Sequence, residues 1–312
     1  MESSRAARRH RARSSSRRRP IFLSALAVIA MACGTAYVKT HDDGGGGVVS
    51  SAAAATSTPA ARTEEATVTE PETDYTALLK TAMEAVTVPG DAAVSVGVLD
   101  LDSGDSAVYG EAAFDTASIV KVDILAALLL QAQDAGRGLT AQEKTYATAM
   151  IVNSDNDSAT ALWNTIGQAE GLDAANERFG MTGTEGGEGA LWGLTQTTAT
   201  DQLALLQQVF GDDSELSDAS REYVRGLMTQ IEADQRWGVS AAAQGTEWAL
   251  KNGWLPRSTT GLWDINSIGR VTAGDASYLV AVLSDGSASM AAGISLVEDA
   301  AQTAVEAFTA AP

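Results

Sequence analysis

Beyond His41 the chain contains no cysteine and no histidine: Cys33, His10 and His41 are the only three such residues, and all lie near the start. The rest must therefore fold without a disulfide or a Cys/His zinc site, on the burial of apolar surface alone. The same absence removes a Ser-His-Asp triad and a Cys-His pair from the available chemistry. A hydrolase built from these residues needs a lysine or a carboxylate as its base. The length of 312 residues leaves room for one large domain or two ordinary ones. Charge narrows the partners. The formal net charge is −19, but residues 1–20 hold eight Arg and one Glu, which leaves −26 on the remainder. Such an acidic body argues against nucleic acid, whose phosphates need a basic face.

The first 38 residues read as an export segment. A basic run from Arg5 to Arg19 precedes eighteen uncharged residues, Ile21 to Val38, and small residues stand at Ala30 and Ala32 around Met31. This is the pattern of a secretory signal, and its positive head places the acidic bulk outside the cytoplasm. Three fates stay open: cleavage after Ala32, the same cut with lipid on Cys33, or retention as a membrane anchor. Residues 39–74 are small, polar and acidic, too poor in apolar side chains to fold, and read as a linker. A single domain is expected over 75–312, joined to the membrane only through the N-terminal segment and acting as a monomer.

Within that domain, apolar spacing predicts a helix at Tyr75–Val86 and a strand at Ala92–Leu101, with a hairpin return at Ser106–Tyr109. A long helix from Ser118 to Ala135 follows, then helices at 141–152, 157–167, 171–179, 199–210 and 216–231. Strands at Glu247–Asn252, Leu262–Val271 and Tyr278–Ser284 precede a last helix from Gly293 to Phe308. The plan is α+β and two-lobed. A five-stranded antiparallel sheet is flanked by the N- and C-terminal helices, and the central helices form an all-helical lobe. The cleft between the lobes is the expected ligand site.

Three short motifs could carry chemistry there. Ser118 and Lys121 are three residues apart at a helix start, which puts hydroxyl and amine on one side, one turn apart. A serine becomes a nucleophile beside a base, and a lysine serves if burial or a nearby cation depresses its pKa. Taken alone, the pair equally fits a serine near an N-cap with a solvated lysine. Ser154-Asp155-Asn156 lies between two helices, where Ser154 could pass a proton and Asn156 hold a substrate amide; Ser154 or Asp155 could equally cap a helix. Lys251-Asn252-Gly253 ends a strand: Lys251 could hold an anion and keep Lys121 neutral, and the glycine admits a substrate backbone. Only four lysines occur in 75–312, and two of them sit in these motifs.

In this order and spacing the motifs resemble the S-x-x-K, S-D-N and K-T-G set of serine β-lactamases and penicillin-binding proteins. The class A β-lactamase-like branch is the nearest in pattern. Phe114-Asp115-Thr116-Ala117, Leu194-Thr195-Gln196-Thr197-Thr198 and the run Asn266-Ser267-Ile268-Gly269 add to the likeness. The resemblance implies that Ser118 is the nucleophile, Lys121 its activator and Ser154 the proton relay to the leaving nitrogen. It makes Asn156 a substrate contact, Lys251 the carboxylate anchor, and the backbone N–H groups of Ser118 and Trp254 the oxyanion hole. Asn252, Gly253 and Trp254 would line the substrate site. Neither a metal nor a cofactor is implied. The substrate would be a small molecule or peptide, either a β-lactam or a peptidoglycan stem peptide.

The chain departs from the family at two places. Asn252 stands where the motif has Thr, and Trp254 crowds a usually small position. Class A enzymes also carry, before the Thr197-Thr198 equivalent, a Glu and an Asn four residues on that hold the deacylating water. Here the stretch after Phe179 offers only Glu185 and Glu188, in a glycine-rich run with no such Asn. Three readings follow: hydrolysis of a β-lactam through an acyl-serine, a penicillin-binding peptidase that deacylates slowly, or a non-catalytic wall-binding module. Substrate preference and the group that activates water are not legible in the sequence.

Overall fold

The computed structural model describes residues 73–311. The chain divides into units Met1–Thr67 and Val68–Pro312, and the described residues belong to the second. The expected export segment 1–38, Cys33 and nearly all of the linker 39–74 lie outside the described residues.

Helix α1 (Tyr75–Met83) starts at Asp74, whose carboxylate accepts the Ala77 N–H as an N-cap. Strands β1 (Ala93–Asp100) and β2 (Ser106–Tyr109) form the expected hairpin. After the helical block come β5 (Trp248–Pro256), β6 (Trp263–Ala273), β7 (Ala276–Ser287) and helix α8 (Met290–Thr309). All pairings are antiparallel, in the order β2-β1-β7-β6-β5. The first strand thus pairs with the last, and β5 is left as an edge.

The sheet is buried on both faces, and for that reason β1 and the core of β7 read as nearly continuous apolar runs rather than clean alternations. Val96, Val98, Leu250, Val280 and Val282 meet α1 and α8 on one face. Leu99, Ile268, Leu279 and Leu283 meet the helical lobe on the other. That lobe comprises α2 (Val120–Asp134), α3 (Ala141–Val152), α4 (Asn156–Ile166), α5 (Gln168–Phe179), α6 (Ala199–Phe210) and α7 (Asp218–Met228). Helix α2 is apolar on every side and is its axis; a helix patterned this way has to be enclosed.

Observed and expected elements differ mainly at their ends. β5, β6 and β7 each end two or more residues later than expected, because pairing continues past the apolar core once a neighbour is in register. A two-residue pairing of β3 (Phe114–Asp115) with β4 (Gln196–Thr197) carried no usable signal at that length. The expected helix at Ser118 begins as a short 3-10 turn over Ala117–Ile119, and α2 follows from Val120. No helix among the described residues is long and apolar enough to cross a membrane.

Candidate active site

From Phe114 to Leu130 every residue is buried except Ser118. A hydroxyl that is open in an otherwise enclosed segment is placed to meet a ligand. The preceding residue, Ala117, has φ of 47°, a left-handed conformation that a non-glycine residue adopts only under constraint. The constraint is visible. Buried Asn266 on β6 donates from Nδ2 to the carbonyls of Asp115 (2.8 Å) and Thr116 (3.1 Å), and its Oδ1 accepts the Ser284 N–H. Gly253 lies against the same turn. A Cβ at that position would come within 2.7 Å of the Ser118 nitrogen and the Thr116 oxygen, so β5 can approach the Ser118 turn only with glycine there.

Lys121, one turn on, is fully buried. Its Nζ donates to the Ser154 carbonyl (2.7 Å), the Ser154 hydroxyl (3.1 Å) and Asn156 Oδ1 (2.8 Å). Lys251 reaches the same hydroxyl from β5 at 3.0 Å and also donates to the Asn252 carbonyl at 2.8 Å. One serine hydroxyl therefore lies between two lysines. Burial lowers the Lys121 pKa to about 7, against the pull of the Asp155 charge. Lys251 is lowered well below its ordinary value by burial first and by the Lys121 charge second. Two ammonium groups this close disfavour one another, so one of them is available as a base near neutral pH.

The S-D-N triplet divides its labour. Asp155 caps α4, its carboxylate accepting the Ser158 N–H at 2.7 Å. That hydrogen bond holds its pKa below the ordinary carboxylate value. Ser154 and Asn156, on either side, face Lys121. Ser154 has φ of 56°, and the bent backbone turns both its carbonyl and its hydroxyl toward the lysine.

The K-N-G strand sorts by face. Lys251 and Gly253 point toward the Ser154 hydroxyl and the Ser118 turn. Asn252 is buried on the opposite face, where its Nδ2 donates to the carbonyls of Gln235 (2.7 Å) and Trp237 (2.9 Å). Its amide is thus committed to holding β5 onto the 235–237 segment, and it does not line the cleft. Trp254, on that same face, packs its ring against Trp237 with centroids 6.2 Å apart. As β5 is an edge strand, alternate backbone groups have no sheet partner and remain available to a ligand.

Sequence reasoning missed several residues around this site. Arg257 bridges the nearly buried carboxylates of Asp115 and Asp264, and Gln196 also donates to Asp115. Burial pushes Asp264 up to about 6 even beside that guanidinium. Asn266 stood in the sequence only within the Asn266-Ser267-Ile268-Gly269 run, and its hold on the Ser118 turn is visible only in the structure. The Asp115–Arg257 link spans sequence too distant for any local pattern.

The glycine-rich run after α5 is a packed loop. The N–H of Gly183 and the hydroxyl of Thr184 both donate to Asp201, at 2.8 and 2.6 Å. Gly186 donates to Asp173, and Gly187 to the Thr195 hydroxyl. A Cβ on Gly187 would fall 2.1 Å from the Leu191 carbonyl, so this glycine is fixed by close packing. Glu185 and Glu188 are exposed. The residue this loop brings to the site is Trp192, whose ring centroid lies 5.0 Å from Lys121 Nζ. Among the described residues no carboxylate forms an ion pair with Lys121, and no cluster of His, Cys, Asp and Glu could hold a metal.

A mixed two-lobed fold, with a serine-lysine pair at a helix start and a second lysine on the sheet edge, defines the β-lactamase and penicillin-binding class. The sequence model of the beta-lactamase enzyme family matches residues 136–308, and the chain belongs to that family. Solved structures agree in fold. An acyl-enzyme complex of a PBP-A variant with penicillin G is similar at 20% identity and TM-score 0.64, over 75% of this chain and 97% of that one. The TLA-3 extended-spectrum beta-lactamase is similar at 15% identity and TM-score 0.67, over 75% and 99%. A beta lactamase from Burkholderia vietnamiensis is similar at 19% identity and TM-score 0.61, over 78% and 99%. No curated protein matches the chain in sequence.

Proposed function

We propose that the domain is a serine hydrolase that opens a β-lactam or a related peptide amide through an acyl-serine, and that it forms this intermediate faster than it hydrolyses it. The observation that carries the reading is the setting of Lys121, buried, near neutral in pKa and one turn from the only open residue of its segment. Lys121 takes the Ser118 proton as Oγ attacks the carbonyl carbon. The amide C–N bond breaks, and the nitrogen receives a proton through Ser154, which Lys121 and Lys251 both touch. Backbone N–H groups of Ser118 and Trp254 stabilise the oxyanion. Lys251 binds the substrate carboxylate.

Slow release rests on the positions of Glu185 and Glu188, both exposed on the loop. Efficient β-lactam hydrolysis is the second reading. The likeness to extended-spectrum β-lactamases favours it, as does a complete set of acylating residues. Export through residues 1–38, with cleavage, anchoring or lipidation at Cys33, would place the domain beside wall peptides or incoming antibiotics. We take it to act as a monomer.

Purified 75–312 mixed with a chromogenic cephalosporin should give a burst near one equivalent and then a slow steady state. Mass spectrometry should find the adduct on Ser118, and Ser118→Ala should abolish it. Sustained turnover at the burst rate would replace this reading with the second. A protein never labelled by penicillin would be a binding module.

A further inference from the structure

Lys121 Nζ is met by polar oxygens and by an aromatic ring. The oxygens of Ser154 and Asn156 accept from its Nζ, and the Ser154 hydroxyl among them is the proposed relay to the leaving nitrogen. The indole of Trp192 also lies against this amine, its ring centroid 5.0 Å from Nζ. The ring is held in place: its Nε1–H donates to Thr160 Oγ1 on α4 at 3.1 Å. Gly193, the next residue, faces Ala117, with a virtual Cβ 3.9 Å from Ala117 atoms, so the same turn packs beside the nucleophile. Trp163 adds a second anchor by donating from Nε1 to the Gly189 carbonyl at 2.6 Å. A tryptophan tied at its polar edge and apolar over its face leaves a water there no hydrogen-bond partner.

We infer that Trp192 sets the lifetime of the acyl-enzyme by keeping the hydrolytic water away from the Lys121 amine it packs against. This rests on the acyl-serine reading above. Hydrolysis of the acyl-serine requires a water oxygen to bond to the acyl carbon as the bond from that carbon to Ser118 Oγ breaks. The water gives one proton to a base, and Ser118 Oγ regains one. Lys121 can receive and return that proton only if the water reaches it, and the indole covers that approach. Acylation makes no such demand, since Ser118 itself supplies the proton. Trp192 is thus a specificity-determining residue for one half-reaction, and its loop sorts substrates by how long they remain attached.

The test is a pre-steady-state comparison of wild type, Trp192→Ala and Trp192→Phe with a chromogenic cephalosporin, with adduct decay followed by mass spectrometry. Trp192→Ala should release the adduct about a hundredfold faster, the low end of what a positioned base gives an attacking water, with the burst rate little changed. Trp192→Phe, which keeps an aromatic face, should stay near wild type. Should Trp192→Ala fold poorly, Thr160→Val removes only the indole anchor and should speed release in the same sense. A normal burst with equally slow release in all variants would overturn the inference and leave the acyl-serine reading intact. Absence of any Ser118 adduct in wild type would instead remove the reading itself.

Discussion

The two loops that flank Lys121 are built on opposite principles. The turn between α3 and α4 presents oxygen: a carbonyl, a hydroxyl and an amide, all within 3.1 Å of the ammonium. The loop between α5 and α6 presents an aromatic face and keeps its own glutamates in solvent. The Ser154 hydroxyl can relay a proton, and the indole face cannot. On the mechanism proposed above, forming a covalent bond and clearing it would be separately tunable, each through a different neighbour of the same buried amine.

The largest effect should come from removing the amine that both walls share. Lys121→Ala should slow labelling of Ser118 by about a thousandfold or more while the thermal midpoint stays near wild type; near-normal labelling would exclude Lys121 as the base. Ser154→Ala tests the polar wall alone and should slow acylation by about tenfold to a hundredfold, with adduct decay unaffected. An equal effect on both steps would dissolve the contrast between the flanks. The pH profile sharpens it further. With the Lys121 pKa near 7, the neutral amine grows as pH rises, so the acylation rate should climb through about pH 7 and then level. A rate independent of pH from 5 to 9 would count against a lysine base.

The smallest effect is on stability, beneath the apolar loop. Asp123, two residues past Lys121, is fully enclosed and accepts one hydrogen bond, from Asn176 at 3.2 Å. Burial raises its pKa to about 8, and the charges of Asp173 and Asp201 add to the rise. A carboxyl whose folded pKa lies above its unfolded value stabilises the fold fully below about pH 4 and loses that contribution as pH rises to about 8. Urea midpoints of the wild type should therefore fall over that interval. Asp123→Asn should flatten the decline and exceed wild type at pH 8.5 by more than about 1 kcal/mol.

Much of the site was legible because its chemistry uses short, local spacing. Ser118 and Lys121 are one helical turn apart, and an unbroken apolar helix around them already implies the burial that shifts the lysine. The Ser154–Asn156 triplet was legible as a unit, and the structure resolved which member is the cap. Asn252 shows the limit. Strand alternation puts residue 252 on the face opposite Lys251 and Gly253, yet which face meets the cleft depends on where β5 sits in the sheet. Trp192 lay in a stretch that reads as solvated glycine and glutamate, and nothing local marks a ring that will rest on a lysine over seventy residues upstream.

What the sequence determined by itself was the inventory: a domain without histidine or cysteine, its two motif lysines, and an alternation of elements that closes into one mixed fold. Apolar periodicity encodes which surfaces are buried, and so it encodes the enclosed helix that carries Ser118 and Lys121. What only the tertiary structure decided was adjacency. Two lysines share one hydroxyl, and an indole packs against one of them. Those contacts join α2, β5 and two separate loops, and their geometry is fixed by packing across the lobes, which no local pattern records.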